Sequence, residues 1–311
     1  MTGKTSQHDG TLVNRPTLQS RIPGIEAASR HDPGGRGLAC HAPGGLLLPA
    51  AQSLLACERA VIVTGFCIRA AMIGETDGPP GALALASALR GLGKDVVLLT
   101  DDFSVPLLEA GMAVSGDVFR LLTLRLPQED ADCTIDALLA TFAPTHVIAI
   151  ERPGDAADGH RYSMRGELLD DLIPSADRLL APPSPPPRTY RTLAVGDGGN
   201  ELGLGSLRQE LMGSIAHGDL IFSATAADHV IPAGISNWGA YALAAAMSVL
   251  AGKLLIRSPE HERAVLQAMV EAGAVDGCTR RCELSVDGLP WDDYARTLQD
   301  IYRQASESAP G

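Results

Sequence analysis

Residues 60–100 read AVIVTGFCIRAAMIGETDGPPGALALASALRGLGKDVVLLT, and this stretch decides the fold. Its two ends, AVIVT and VVLLT, are short continuous apolar runs of the kind that a strand covered on both faces requires. Between them comes a loop of glycine, proline and two carboxylates, and then a helical stretch from Ala82 to Arg90. Strand, loop, helix, strand is the repeating unit of a parallel sheet. The alternation continues with strand-like runs at Val118 to Leu124, His146 to Ile150, Thr192 to Val195 and His229 to Pro232. Helical stretches are expected near Val105 to Gly111, Thr134 to Thr141, Gly166 to Leu172, Ser206 to Gly213 and Ser236 to Leu250. The expected architecture is α/β, a mostly parallel sheet with helices on both faces. This is a Rossmann-like three-layer domain whose active-site loops lie at the carboxyl ends of the strands.

Outward from this stretch the chain has few other features. Residues 1–44 scatter Gly, Pro, His, Arg and Ser with no period of 2 or 3.6, so they read as an irregular N-terminal arm with no assigned chemistry. Residues 45–311 then form one α/β domain, with Pro182 to Pro187 a stiff surface connection inside it. Gly (33) and Pro (21) together make about a sixth of the 311 residues, below the roughly 25–30% that marks low-complexity disorder. The 25 Lys and Arg against 37 Asp and Glu give a net charge of −12. That surface repels phosphate backbones, which argues against nucleic acid or an anionic membrane as partner. The apolar run Ala240 to Leu250 soon meets Lys253 and falls short of the roughly 20 residues that span a bilayer. Six cysteines without a Cys-x-x-Cys pair suit neither a disulfide framework nor a zinc site. The start, MTGKTSQHDG, lacks the build of a secretory signal, so a soluble, reduced, cytoplasmic protein is expected. A homodimer is the default among soluble oligomers.

The loops after the strands are where chemistry collects. After AVIVT come Glu75 and Asp77, after VVLLT the pair Asp101 and Asp102, after HVIAI the pair Glu151 and Arg152. GDGGNELGLG (Gly196 to Gly205) follows TLAV, and Ser236, Asn237, Trp238 and Gly239 open the last helix. Each has a plain structural reading: glycines serve turns, Ser236 caps a helix, Asp101 and Asp102 end a strand, Glu151 and Arg152 pair with each other. Four or five such loops in one layer are harder to explain that way. GDGGNELGLG departs from the dinucleotide fingerprint, because Glu201 stands where G-x-G-x-x-G needs its third glycine and Asp197 would oppose a pyrophosphate. No phosphate loop and no G-x-S-x-G elbow occur, and the eight histidines show no H-x-x-x-H spacing. Carboxylates on tight turns suit a divalent cation, an ammonium group or proton transfer.

Taken in order, six segments resemble the C-terminal domain of the D-glutamate cyclase family. They are ETDGPPGA (75–82), ERPGDAADGHRYSMRG (151–166), GDGGNELGLG (196–205), SNWGAYAL (236–243), GAVDG (273–277) and VDGLP (286–290). The resemblance covers roughly residues 50–290. It implies an intramolecular dehydration in which the amine of D-glutamate attacks its γ-carboxyl group, giving 5-oxo-D-proline and water, with no organic cofactor. It also implies catalytic roles among Glu75, Asp77, Glu151, Asp197 and Glu201, with Glu75 or Asp77 as base and Glu201 as the acid that protonates the leaving oxygen. Arg152, Arg165, Gly198, Gly199, Asn200, Ser236 and Asn237 would bind the substrate. Asp197, Glu201 and Asp101 permit a cation, Mg²⁺ or Mn²⁺, without demanding one. Two other readings stay open: a lactam-forming or lactam-opening enzyme for a different amino acid, and a non-catalytic amino-acid-binding protein.

Overall fold

In the computed structural model, which describes residues 18–181 and 188–307, six of the apolar runs pair as one parallel sheet. The strands are β1 (Arg59–Thr64), β2 (Asp95–Asp101), β3 (Arg120–Leu124), β4 (His146–Ile150), β5 (Arg191–Gly196) and β6 (His229–Pro232). Their order across the sheet is β3-β2-β1-β4-β5-β6. Ala60 lies opposite Val96 of β2 on one side and His146 of β4 on the other, so β1 and β4 are the central pair. The chain leaves β1 towards one edge and β4 towards the other. The loops after these two strands therefore diverge and open a crevice at their carboxyl ends.

Alternation along the strands divides the core into two layers. Ile62, Leu98, Ile148 and Leu193 face a thick helical layer, whereas Val61, Val63, Val97, Val147 and Ala149 face a thinner one closed by the helix Gln128–Phe142. At the centre of the thick layer runs the helix Ser236–Ala251, buried without a break from Ser236 to Val249. It contacts the helices Pro79–Gly91, Leu47–Leu55, Trp291–Ser306 and Ile22–Ser29. Its alanine content is the reason, since small side chains on every face let several helices approach one axis. The apolar surface of this helix is consumed inside the domain.

Three expectations are corrected. Residues 18–44 are not an irregular arm: Ile22–Ser29 and Leu38–His41 are helical, and Ile22, Ile25 and Leu38 are fully buried. Arg30 fixes the intervening turn by donating to the carbonyls of Ala39 (3.0 Å) and Pro43 (2.8 Å). Helices of four to eight residues are too short to show a period, and tertiary packing supplies their stability. The helix expected over Gly166 to Leu172 does not form, because Gly166 takes φ +74° and closes a turn in which Ser163 Oγ accepts from the amides of Arg165 and Glu167. The stretch Ser206 to Gly213 is broken into short 3-10 and α turns. Two amphipathic helices, Pro259–Glu271 and Trp291–Ser306, carry mostly charged residues outward and were not expected. The proline run Pro182 to Pro187 and residues 1–17 lie outside the described residues. Among those described, no helix is long and apolar enough to cross a membrane.

Candidate active site

The loops after β1, β4 and β5 meet at a cavity of about 210 Å³. Glu75, Glu151, Asp197 and Asp287 line it together with Arg36 and Arg165. The sequence places these carboxylates on separate loops, and the divergence of β1 and β4 brings them together.

Glu75 is set by backbone pairing: its amide donates to Phe66 O (3.0 Å), and the next amide, of Thr76, donates to Val275 O (2.9 Å). Its carboxyl group then lies against the Cα of Gly277, where a Cβ would overlap Oε2 and displace the carboxyl. Among the described residues no protein group hydrogen-bonds this carboxyl. Burial pushes its pKa well above the usual carboxylate range, the charges of Asp287 and Asp77 add to the effect, and Arg36 partly opposes it. Glu75 is therefore a carboxyl group whose environment favours its protonated form, and it faces a cavity.

Asp77 has a different job. Its oxygens accept from the amides of Ser236 (2.9 Å), Asn237 (2.8 Å) and Gly78 (3.0 Å), capping the buried helix from another loop. Capping satisfies amides that the helix leaves without partners, and the helix dipole favours a carboxylate there. Burial and the charge of Asp287 nevertheless raise its pKa to about 7, against the lowering effect of the Asn237 amide. Asn237 is likewise committed to structure: its Oδ1 accepts from the amides of Gly78 (3.0 Å) and Gly81 (2.8 Å), and its Nδ2 donates to Thr76 O (3.1 Å). Ser236 points the other way and donates its hydroxyl to Glu151 Oε2 at 2.5 Å. Glu151 sits at φ +43°, a strained conformation for a residue with a side chain, and Gly78 at φ +97° leaves room for its Cβ. Burial, followed by the charge of Glu201, holds the Glu151 pKa well above normal. Asp197 accepts from the Ser236 amide (3.2 Å); burial raises its pKa while Arg36 pulls it back.

Several sequence-based assignments change. Glu201 does not reach the cavity as an acid, because its oxygens accept from the amides of Asp197 (2.9 Å), Gly198 (2.7 Å) and Gly199 (2.7 Å). It organises its own loop, and the Gly198 and Gly199 amides are spent on it rather than on a ligand. Asn200 is also turned inward, donating to Tyr162 O (2.8 Å). Arg152 does not bind substrate: it is fully buried, ion-paired with Asp101, and donates to Pro174 O (2.9 Å). The same pair removes Asp101 as a metal ligand. Arg165 keeps its place, at the cavity wall, reaching towards the carbonyls of Gly277 (3.5 Å) and Cys278 (3.3 Å) without an ion pair among the described residues.

Sequence reasoning missed four residues, Arg36, Asp287, Asp32 and Asp276. Arg36, from the segment given no chemistry, pairs with Asp197 and makes a forked contact with Asp287 at 2.8 and 2.7 Å. Asp32 holds that turn by accepting from the amides of Arg36 (3.1 Å) and Gly37 (2.8 Å). Asp276 accepts from Cys278 N, Thr279 N, Ser285 Oγ and Gly288 N, and so shapes the loop that carries Asp287. The GAVDG and VDGLP segments were the available signal for Asp276 and Asp287; the lone arginine in HDPGGRG offered none.

Two groups of carboxylate oxygens, Asp77 with Asp197 and Asp287, and Glu151 with Asp197 and Glu201, each lie within 4.8 Å of one another. All-oxygen donor sets of this kind suit a hard divalent cation.

Residues 25–302 match the family described as D-glutamate cyclase-like, C-terminal. The chain is 35% identical over 247 residues to the human protein named D-glutamate cyclase, mitochondrial, an alignment that takes in 75% of this chain. It spans 40% of that relative's length. With most of the chain matched, and the acidic loops of the matched region gathered at one cavity, this chain belongs to the D-glutamate cyclase-like, C-terminal family.

Proposed function

We propose that this protein is a hydro-lyase that closes D-glutamate to 5-oxo-D-proline with release of water. The supporting observation is Glu75: a buried carboxyl with a strongly raised pKa, without a hydrogen-bond partner among the described residues and facing a cavity that Arg36 and Arg165 share with three more carboxylates. Family membership supports the same reading.

The chemistry needs two protons taken from the substrate nitrogen, one from the ammonium before attack and one after the C–N bond has formed, and two protons delivered to the γ-carboxyl oxygen that leaves as water. The freed amine forms the C–N bond, the tetrahedral centre collapses and the C–O bond breaks, with no net gain or loss of protons. Asp197, held above the usual carboxylate range by burial but paired directly with Arg36, accepts the ammonium proton, and Glu75, which has no such partner among the described residues, donates to the leaving oxygen. Arg165 at the wall holds the α-carboxylate. Ser236 fixes Glu151 beside this pair, so that a third carboxyl relays protons between turnovers. Holding amine and γ-carboxyl in contact contributes several kcal/mol more by positioning. A Mg²⁺ or Mn²⁺ ion would be held by Asp77, Asp197 and Asp287 and would supply charge neutralisation for a carboxylate ligand.

The test is proton NMR of the protein incubated with D-glutamate and, separately, L-glutamate, with and without Mg²⁺ or Mn²⁺. Formation of 5-oxoproline from the D isomer supports the reading. Folded protein that converts neither isomer under any of these conditions sinks it.

A further inference from the structure

Arg36 is the one guanidinium that the short turn at residues 31–37 sends into the acidic cavity, and its contacts are unusual for a structural arginine. It is shared between carboxylates of two different loops, Asp197 after β5 and Asp287 near the end of the chain, and it reaches the sulfur of Cys278 at 3.6 Å. Cys278 is also the residue that Arg165 approaches, at its carbonyl. The two guanidiniums thus contact one residue on the wall of one cavity. Arg36 sits in a turn that Asp32 clamps by two amides, and the neighbouring backbone at His31 lies so close to Gly234 that no Cβ fits there. Its position is fixed by the fold and not by its carboxylate partners alone.

We infer that Arg36 is a substrate-binding residue that makes the cavity selective for a second carboxylate, with Arg165 reading the first. The inference rests on the cyclase reading for the identity of the ligand, an amino acid with two carboxylates three carbons apart. A guanidinium fork matches a carboxylate in two parallel hydrogen bonds, and Asp287 already occupies that fork in the way a ligand carboxylate would. Arg36 therefore takes the γ-carboxylate of the substrate in place of Asp287 and stays with its oxygens as the tetrahedral centre forms. The lactam product carries a single carboxylate. It keeps Arg165 and loses Arg36, so ring closure itself weakens the hold on the product.

The experiment measures calorimetric binding of glutarate, with two carboxylates and no amine, against butyrate, with one, to full-length wild-type protein and to Arg36→Met and Arg36→Lys. The wild type binds glutarate at least about tenfold more tightly than butyrate, the worth of one charge-assisted hydrogen bond, and Arg36→Met binds the two alike. Arg36→Lys, which keeps the charge and loses the fork, falls between, and it carries the test if Arg36→Met does not fold. A purely structural Arg36 would weaken both ligands in parallel; an intact glutarate preference in the variants, or none in the wild type, overturns the inference. Wild-type protein that converts D-glutamate without preferring glutarate leaves the cyclase reading standing and removes this one. Protein that prefers glutarate in an Arg36-dependent way but forms no 5-oxoproline does the reverse.

Discussion

Two buried acidic clusters stand at the two ends of the Pro79–Gly91 helix, and they are built differently. At its far end Asp117, 4% exposed, accepts from Ser87 and Arg90 of the helix and from Arg257 (2.7 Å), while the space left beside it measures about 10 Å³. At its start, Glu75, Asp77, Glu151, Asp197 and Asp287 gather around a single buried-side guanidinium, Arg36, and about 210 Å³ is left open. The first cluster gives its one carboxylate three side-chain donors; in the second Asp77 is as well supplied, by three amides, whereas Glu151 has only the Ser236 hydroxyl and Glu75 has no donor among the described residues. A saturated buried carboxylate stabilises a fold, whereas undersaturated ones beside a cavity hold labile protons at a free-energy cost that packing elsewhere must offset. Residue type is the same at both ends. The number of donors separates structure from chemistry.

The largest expected effect is at the undersaturated end. Glu75→Gln keeps the shape and removes the transferable proton, so turnover of D-glutamate falls roughly 10²–10⁴-fold while thermal stability is kept or improved. Wild-type turnover in this variant, followed by NMR, would break the comparison at its centre. Gly277→Ala tests the same group indirectly, since its Cβ overlaps Glu75 Oε2 and must displace the carboxyl. Misplacement on the order of 1 Å costs up to about a hundredfold, read as lost kcat with an unchanged fold. The saturated end should respond in the opposite currency of observables. Asp117→Ala leaves Arg257 and the partly exposed Arg90 facing each other without their carboxylate, and lowers stability on the order of 2–4 kcal/mol, seen as a reduced melting temperature. Activity per folded molecule is unchanged.

The same contrast explains what the sequence could and could not disclose. The runs AVIVT, VVLLT and HVIAI announce buried parallel strands, and a parallel sheet dictates that the loops after them share one edge. Glu75, Glu151 and Asp197 were therefore legible as neighbours before any coordinate was known. Their division of labour was not. Glu201 and Glu75 are both glutamates among glycines, yet three amides converge on Glu201 and none on Glu75, a matter of turn geometry that residue types do not encode. Arg152 sits next to Glu151 in sequence, but Glu151 turns the chain at φ +43° just past the strand, so that it lines the cavity while Arg152 disappears beneath it onto Asp101. Arg36 was invisible because its position depends on the packing of short helices that carry no period of their own.

The smallest effect, and the one that compares both ends in a single measurement, is the pH dependence of stability. Burial raises Asp77 at one end and Glu262, beside Asp117, at the other to about 7 each, from ordinary values of 3.8 and 4.5. Between those values and about 7 the folded protein holds protons that the unfolded chain has released, so their contribution is complete below about pH 4 and is lost as pH rises through 7. Melting temperature should thus fall from pH 5 to pH 8, with a slope of up to about 1.4 kcal/mol per pH unit for each such group. Glu262→Gln removes one proton from this linkage without touching the cavity, so it should flatten the slope and raise stability at pH 8 relative to the wild type, while turnover stays the same. Glu75→Gln should flatten the slope as well, together with its large loss of turnover. Identical slopes in all three proteins would mean that neither carboxyl keeps its proton in the folded state, and the distinction between a proton held for structure and one held for chemistry would then have to be drawn from hydrogen-bond donors alone.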